Sequence, residues 1–108
     1  MFKIENNKMS ITRGDDAEFT VTLENPDGTP YSMEQGDILT FTVKTSTTTP
    51  KVLLQKTSND GDFKITHDDT SSMQYGDYRY DVQFTKNSGD VDTVIVPSAF
   101  VILEEVTW

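Results

Sequence analysis

The sequence contains no cysteine, and its 108 residues include only 9 Lys and Arg against 18 Asp and Glu. Without cysteine the chain has no disulfide framework, no thiol nucleophile and no zinc–thiolate site. With a formal net charge of −9 it lacks the basic stripe that binds nucleic acid, and anionic membrane surfaces repel it. The sequence therefore predicts no nucleic-acid partner and no membrane partner.

Long hydrophobic runs are also absent. The longest spans residues 99–103, far short of the roughly 20 residues that cross a bilayer. Residues 1–7 lack the apolar region of a secretory signal peptide. We therefore expect neither a signal peptide nor a transmembrane segment, and a protein made and kept in the cytoplasm.

Leucine and alanine are scarce at 7 residues together, whereas Val, Ile and Thr number 31. Side chains branched at Cβ are restricted in helices and pack well on pleated sheets, so this excess indicates an all-β protein. Apolar residues alternate with polar ones in short runs, most clearly in residues 78–84, and turn sequences such as residues 25–28 separate the runs. About eight such strands at intervals of 8–12 residues predict a β-sandwich or barrel, formed by a single domain over residues 2–107.

The C-terminal region departs from simple alternation. We expect strands over residues 91–96 and 99–106, separated by Pro97, which lacks a backbone donor and marks a strand break or edge. In the second strand Phe100 and Ile102 share one face, and Val101 and Leu103 share the other. A strand with one solvent-exposed face carries polar residues on that face and does not show this pattern. Either a partner or a loop such as residues 45–50 therefore covers the second face.

Trp108 follows this strand, where it either anchors a partner or closes the end of the domain. We therefore interpret Val101, Leu103 and Trp108 as candidate partner-binding residues.

Catalytic and metal-binding patterns are weak. His67 is the only histidine and lies beside Asp68 and Asp69, but no nucleophile-elbow motif accompanies it, so we predict a surface loop and no enzyme. Acidic pairs such as Asp60 and Asp62 fit turns better than calcium ligands, because no EF-hand spacing is present. We predict no metal and no cofactor. The Arg-Gly-Asp tripeptide at residues 13–15 is interpreted as a turn before a strand.

Residues 73–78 indicate the fold more clearly than the catalytic and metal-binding patterns indicate a function. An apolar Met73 precedes a bend at Gly76, and Tyr78 starts the clearest strand of the chain. This order is typical of the tyrosine corner of immunoglobulin-like domains, in which the tyrosine hydroxyl bonds to nearby backbone. We predict that Gly76 supplies the bend and Tyr78 the corner.

Several segments together resemble a family of small phage and prophage proteins, the N-terminal domain of the tailed-phage baseplate upper protein. The resemblance covers residues 9–107 and is carried by ITRGDDAEFTVTLENPDGTPYSMEQGDILTFTVK, KITHDDTSSMQYGDYRYDVQF and VDTVIVPSAFVILEEVT. It implies an immunoglobulin-like antiparallel β-sandwich of about seven to eight strands. It further implies a non-catalytic role in tail-tip assembly without a cofactor, partners among other tail and baseplate proteins or further copies of the chain, and a final location in the virion.

Two other functions stay open on the sequence. One is an immunoglobulin-like or carbohydrate-binding module of a bacterial surface protein. A carbohydrate module needs an exposed aromatic platform, whereas the aromatics here fall mostly on the inward face of their strands. The other is a small hydrolase, which the missing nucleophile–base pair disfavours.

Overall fold

The computed structural model describes the backbone of residues 3–5 and all of residues 7–104. In this part of the chain eight strands and one single-turn helix form. Their bounds are β1 Lys3–Glu5, β2 Lys8–Thr12, β3 Ala17–Thr20, β4 Ile38–Lys44, β5 Leu54–Ser58, β6 Asp62–Ile65, α1 His67–Thr70, β7 Gly76–Thr85 and β8 Val91–Leu103. The prediction of an all-β protein is confirmed.

The strands form two sheets. One has six strands in the order β1-β2-β8-β7-β4-β5, and the other contains β3 and β6. All neighbouring strands are antiparallel except β2 and β8, which run parallel with Met9 opposite Phe100 and Ile11 opposite Ile102. The purely antiparallel arrangement expected from the sequence is therefore wrong at this pair. The parallel register brings four buried apolar side chains together on the core side of the sheet.

The core lies between the two sheets and is rich in aromatic side chains. In β7 and β4, alternate residues such as Tyr80, Val82 and Phe41 are fully or almost fully buried. The ring of Phe41 contacts Phe19 of β3 with centroids 5.3 Å apart and Phe63 of β6 at 6.0 Å. Burial of each large apolar side chain stabilises the fold by roughly 1.5–3 kcal/mol, so this cluster joins the two sheets.

Strand β8 is continuous from Val91 to Leu103. The predicted break at Pro97 is wrong, although Pro97 does lie in the part of β8 that pairs on one side only. The register between β7 and β8 shifts between the Tyr80 and Val82 pairs, and again between the Val82 and Gln83 pairs. A bulged edge strand accommodates a proline because it does not need every backbone donor.

Apolar and polar residues alternate over residues 17–23, and strand β3 is shorter than this run. It ends at Thr20, and the Val21 amide donates to the carbonyl oxygen of Gly61, the next position in the β3–β6 register. Gly61 has φ 95°, and a Cβ there would lie 2.7 Å from the carbonyl oxygen of Val21. This close approach requires glycine.

The polar segment before β7 contains α1, which is a single α-helical turn. The Thr66 amide donates to Asp69 Oδ2 at 2.8 Å, which stabilises the first turn. The helix and its following bend lead into the start of β7.

Candidate functional site: the exposed surface of the last strand

The N-terminal half of β8 is the most exposed apolar part of the described sheets. Val91 is 57% exposed, Val94 37% and Val96 63%. Within the described residues, β2 pairs only with residues 100–103 of β8, so residues 91–98 have a strand partner on the β7 side alone. This half of the strand combines unpaired backbone groups with three accessible valines. A strand edge with these features can pair with a strand of another chain.

A recess adjoins this edge. Val94 lines it together with Leu23, Tyr31 and Phe84, and its volume is about 320 Å³. Asp92 and Lys86 lie at the same opening. The arrangement of an apolar floor with a polar rim resembles the surroundings of a buried anchor side chain at a protein interface.

The candidate partner-binding residues lie in the other half of β8. Phe100 and Ile102 face the core, while Val101 is half-buried and Leu103 is 42% exposed on the opposite face. Val101 is flanked by Asp77 of β7 and Ser10 of β2. Leu103 is therefore partly in contact with solvent on the second face of the strand. Trp108 lies outside the described residues.

Sequence reasoning missed the exposed valines of residues 91–96 as surface candidates. Their signal was present, because residues 94–96 form an apolar triplet that departs from alternation. The triplet coincides with the register shifts that turn neighbouring side chains to different sides of the strand.

Tyr78 forms the contact that a tyrosine corner requires. Its hydroxyl donates to the carbonyl oxygen of Gln74 at 2.6 Å, and its ring is buried. Gly76, between them, has φ 134°, a conformation that residues with a side chain rarely adopt. The bond closes the chain reversal between α1 and β7.

A second polar anchor, Asp37, precedes β4 and is 1% exposed. Its carboxylate accepts hydrogen bonds from the Tyr31 hydroxyl at 2.7 Å and from the amides of Glu34 and Asn87, both at 2.9 Å. It thus joins the loop before β4 to the β7–β8 turn. The sequence offered only a Gly-Asp pair before a strand, which did not reveal these distant partners.

These bonds set the ionisation of both groups. The Tyr31 hydroxyl, followed by the Glu34 amide, holds the pKa of Asp37 below its usual value. The same bond, with burial and nearby negative charge, raises the pKa of Tyr31 to about 12. The pair is therefore a tyrosine donating to an ionised carboxylate, a charge-assisted hydrogen bond.

His67 lies at the start of α1 beside two carboxylates. Asp16 Oδ1 accepts from the His67 amide at 2.6 Å and lies 3.0 Å from His67 Nδ1, and Asp68 Oδ1 lies 3.7 Å from Nε2. Hydrogen bonds from His67 lower the pKa of Asp16. All three side chains are exposed, so these contacts secure the loop between β2 and β3 against α1 at the surface.

The acidic pairs considered for calcium serve local structure. Asp60 Oδ1 accepts from Ser58 Oγ and the Asp62 amide, and Asp62 Oδ1 accepts from Thr20. Asp69 pairs with Lys56 at 2.9 Å. Within residues 7–104, no three His, Cys, Asp or Glu side chains are grouped as metal ligands.

The Arg-Gly-Asp tripeptide forms a turn held against the segment around α1. The Arg13 guanidinium lies 4.4 Å from the centre of the Tyr75 ring, and the Gly14 amide donates to Thr70 Oγ1 at 3.0 Å. Gly14 has φ 86°. These contacts fit the role of a turn before β3.

No family model matches the sequence, and no curated protein matches it significantly. Among the helices of the described chain, none has the length and apolar character needed to span a membrane.

Proposed function

We propose that the chain is an immunoglobulin-like β-sandwich that serves as a non-catalytic docking module of a phage or prophage tail baseplate. In this role it binds other tail proteins or further copies of itself. The observation that carries the proposal is the one-sided pairing of β8 over residues 91–98 together with the exposure of Val91, Val94 and Val96.

The immunoglobulin-like assignment is supported by the connectivity. In the larger sheet, β4 lies beside β7 and β7 beside β8, while β3 pairs with β6 in the smaller sheet. The chain passes from one sheet to the other between β2 and β3, β3 and β4, β5 and β6, and β6 and β7, and such crossings between sheets are typical of Greek-key sandwiches. The Tyr78 bond at the start of β7 supports the same assignment.

The docking role is supported by the kind of surface on β8. Exposed valines on an unpaired edge stabilise the isolated domain little, because their apolar surface remains in water. Such an edge favours aggregation unless a partner or a bulge protects it. The register shifts of β8 supply part of that protection, and a docked partner supplies the rest.

The non-catalytic character is supported by the surroundings of His67. Its two carboxylate neighbours and the ring itself are exposed at the surface, where water screens the charge effects on which acid–base catalysis relies. The backbone bond from His67 to Asp16 is that of a structural contact.

The experiment is reconstitution with the proteins encoded beside this gene. The domain is mixed with each neighbouring tail protein, and complex mass is measured by light scattering after size-exclusion chromatography. We expect a complex of fixed stoichiometry with a tail protein. Absence of any such complex, or location of the gene in a locus for anchored surface proteins, would contradict the proposal and favour the surface-module alternative.

A further inference from the structure

The outer face of the six-stranded sheet contains a depression with a volume of about 300 Å³, lined by both polar and apolar side chains. Its floor comes from β4, β5 and β7, its rim includes the loop after β4, and Pro97 of β8 lies at the opposite side. The register shift near Pro97 disturbs the regular surface of the sheet there. The lining side chains with charge are Lys44, Arg79 and Asp81.

Two of these side chains have the same charge and lie directly opposite each other. Lys44 of β4 pairs with Arg79 of β7 in the antiparallel register. Like charges at opposed positions destabilise a sheet. The chain has only 9 basic residues against 18 acidic ones, so a paired placement of two cations on one face is unexpected for a purely structural surface.

One of the two cations, Lys44, acts through its charge on Asp81, the acidic side chain of the lining. Asp81 lies two residues from Arg79 on the same strand, and Lys44 opposes the rise that burial produces in the pKa of its carboxyl. Arg79, in contrast, is exposed and makes no ion pair with any described residue. Arg79 thus presents an exposed guanidinium to the depression, and its planar fork matches a carboxylate.

Apart from Val52, Tyr80 and Pro97, the remaining lining offers hydroxyl and amide groups. Gln55 Nε2 donates to Thr42 Oγ1 at 3.1 Å, and Gln83, Ser46 and Thr47 line the same space. These groups both donate and accept hydrogen bonds, which suits a ligand rich in hydroxyls better than an apolar anchor. The volume is at the lower end of the range for small-molecule sites and fits a single ring.

We propose that this depression binds a sugar acid, with Arg79 holding its carboxylate and the Thr, Ser and Gln side chains holding its hydroxyls. The site is separate from the proposed docking edge, because Val91, Val94 and Val96 do not line it. Recognition rests on a charge-assisted hydrogen bond and not on aromatic stacking. The proposal is independent of the baseplate role.

The test is a titration of the full-length ¹⁵N-labelled chain with sodium glucuronate, followed by NMR at constant ionic strength. Glucose and sodium acetate serve as comparison ligands. We expect saturable shifts at Thr42, Arg79 and Gln83, with a dissociation constant at least tenfold lower for glucuronate than for either comparison ligand. Equal affinity for glucose would exclude the carboxylate contact, and equal affinity for acetate would exclude recognition of the sugar.

Arg79→Gln is the decisive variant, and Lys51→Gln, an exposed charge removed outside the depression, is its control. Loss of a charge-assisted bond weakens binding roughly tenfold to a hundredfold. Arg79→Gln should lose glucuronate binding by this factor with an unchanged or higher melting temperature, because it removes the like-charged pair. Unchanged binding, or an equal loss in Lys51→Gln, would overturn the assignment.

Discussion

Two polar side chains hold chain reversals beside the core. Tyr78 bonds the backbone four residues before it, and Asp37 joins two loops that are distant in sequence. The first could be predicted, because the Tyr-Gly-x-Tyr pattern places donor and acceptor within one local bend. The second could not, because the Asn87 amide that completes the Asp37 site is 50 residues away.

Tyr78→Phe tests the local bond. The buried ring is retained while the hydroxyl bond to Gln74 is lost, so we expect a decrease of about 1–1.5 kcal/mol in the free energy of unfolding. Tyr75→Phe is the control, because Tyr75 is exposed and its ring contact with Arg13 survives. Urea denaturation measures both, and an equal effect of the two substitutions would argue against the corner.

Asp37 makes stability depend on pH. Because its pKa is lower in the folded chain than the unfolded value of 3.8, the carboxylate stabilises the fold above about pH 4. That contribution is lost as the pH falls through the folded-state pKa. On the alkaline side, the pKa of about 12 for Tyr31 against 10.0 unfolded means that stability falls as the pH rises between these values.

Asp37→Asn should lower the melting temperature at neutral pH and flatten the loss of stability that occurs as the pH falls below about 4. The amide offers one acceptor atom where three donors converge, so at least one bond is weakened. Asp77→Asn changes an exposed carboxyl and should keep the wild-type profile. Calorimetry across this range measures the effect, and identical profiles for the two variants would show that Asp37 does not anchor the fold.

At the scale of the elements, alternation predicted where strands occur but not where they end. The inward residues of β4 and β7 follow from period-two patterns that each strand contains in itself. The end of β3 coincides with the turn before β6, where Gly61 has a positive φ and accepts a hydrogen bond from the Val21 amide. The continuity of β8 through Pro97 depends on which side of the strand has a partner. Neither the end of β3 nor the continuity of β8 follows from the residues that are close to it in sequence.

Gly61→Ala tests the close approach beside β3. Alanine at a positive φ costs about 1–3 kcal/mol, and here its Cβ would also lie 2.7 Å from the Val21 carbonyl oxygen. Gly28→Ala is the matched control, since Gly28 has φ 88° and a Cβ there would meet no atom within 4 Å outside the neighbouring residues. Chemical denaturation should show a larger loss for Gly61→Ala, by about 1 kcal/mol or more. Equal losses would mean that backbone conformation alone explains the glycine.

At the scale of the whole molecule, composition predicted the all-β class because branched side chains favour pleated surfaces. The parallel pairing of β2 with β8 could not be predicted, since it joins segments at opposite ends of the chain and leaves no periodic signal. The same limit applies to the candidate site. Apolar residues at both odd and even positions predicted an unusual surface on the last strand. Only the sheet order shows that the first half of this strand is paired on one side.

The exposed valines of β8 are central to the proposed function, in which they serve a partner and not the core of the domain. Val91→Thr combined with Val96→Thr replaces two accessible methyl groups by hydroxyls and retains strand preference. Val52→Thr is the control, because Val52 is 44% exposed outside β8.

The deciding measurement is the dissociation constant of the complex with the tail protein identified by reconstitution. We expect it to rise at least tenfold in the double variant, with the melting temperature unchanged and Val52→Thr without effect. An unchanged dissociation constant, or weaker binding that only follows unfolding, would contradict this role of the valines.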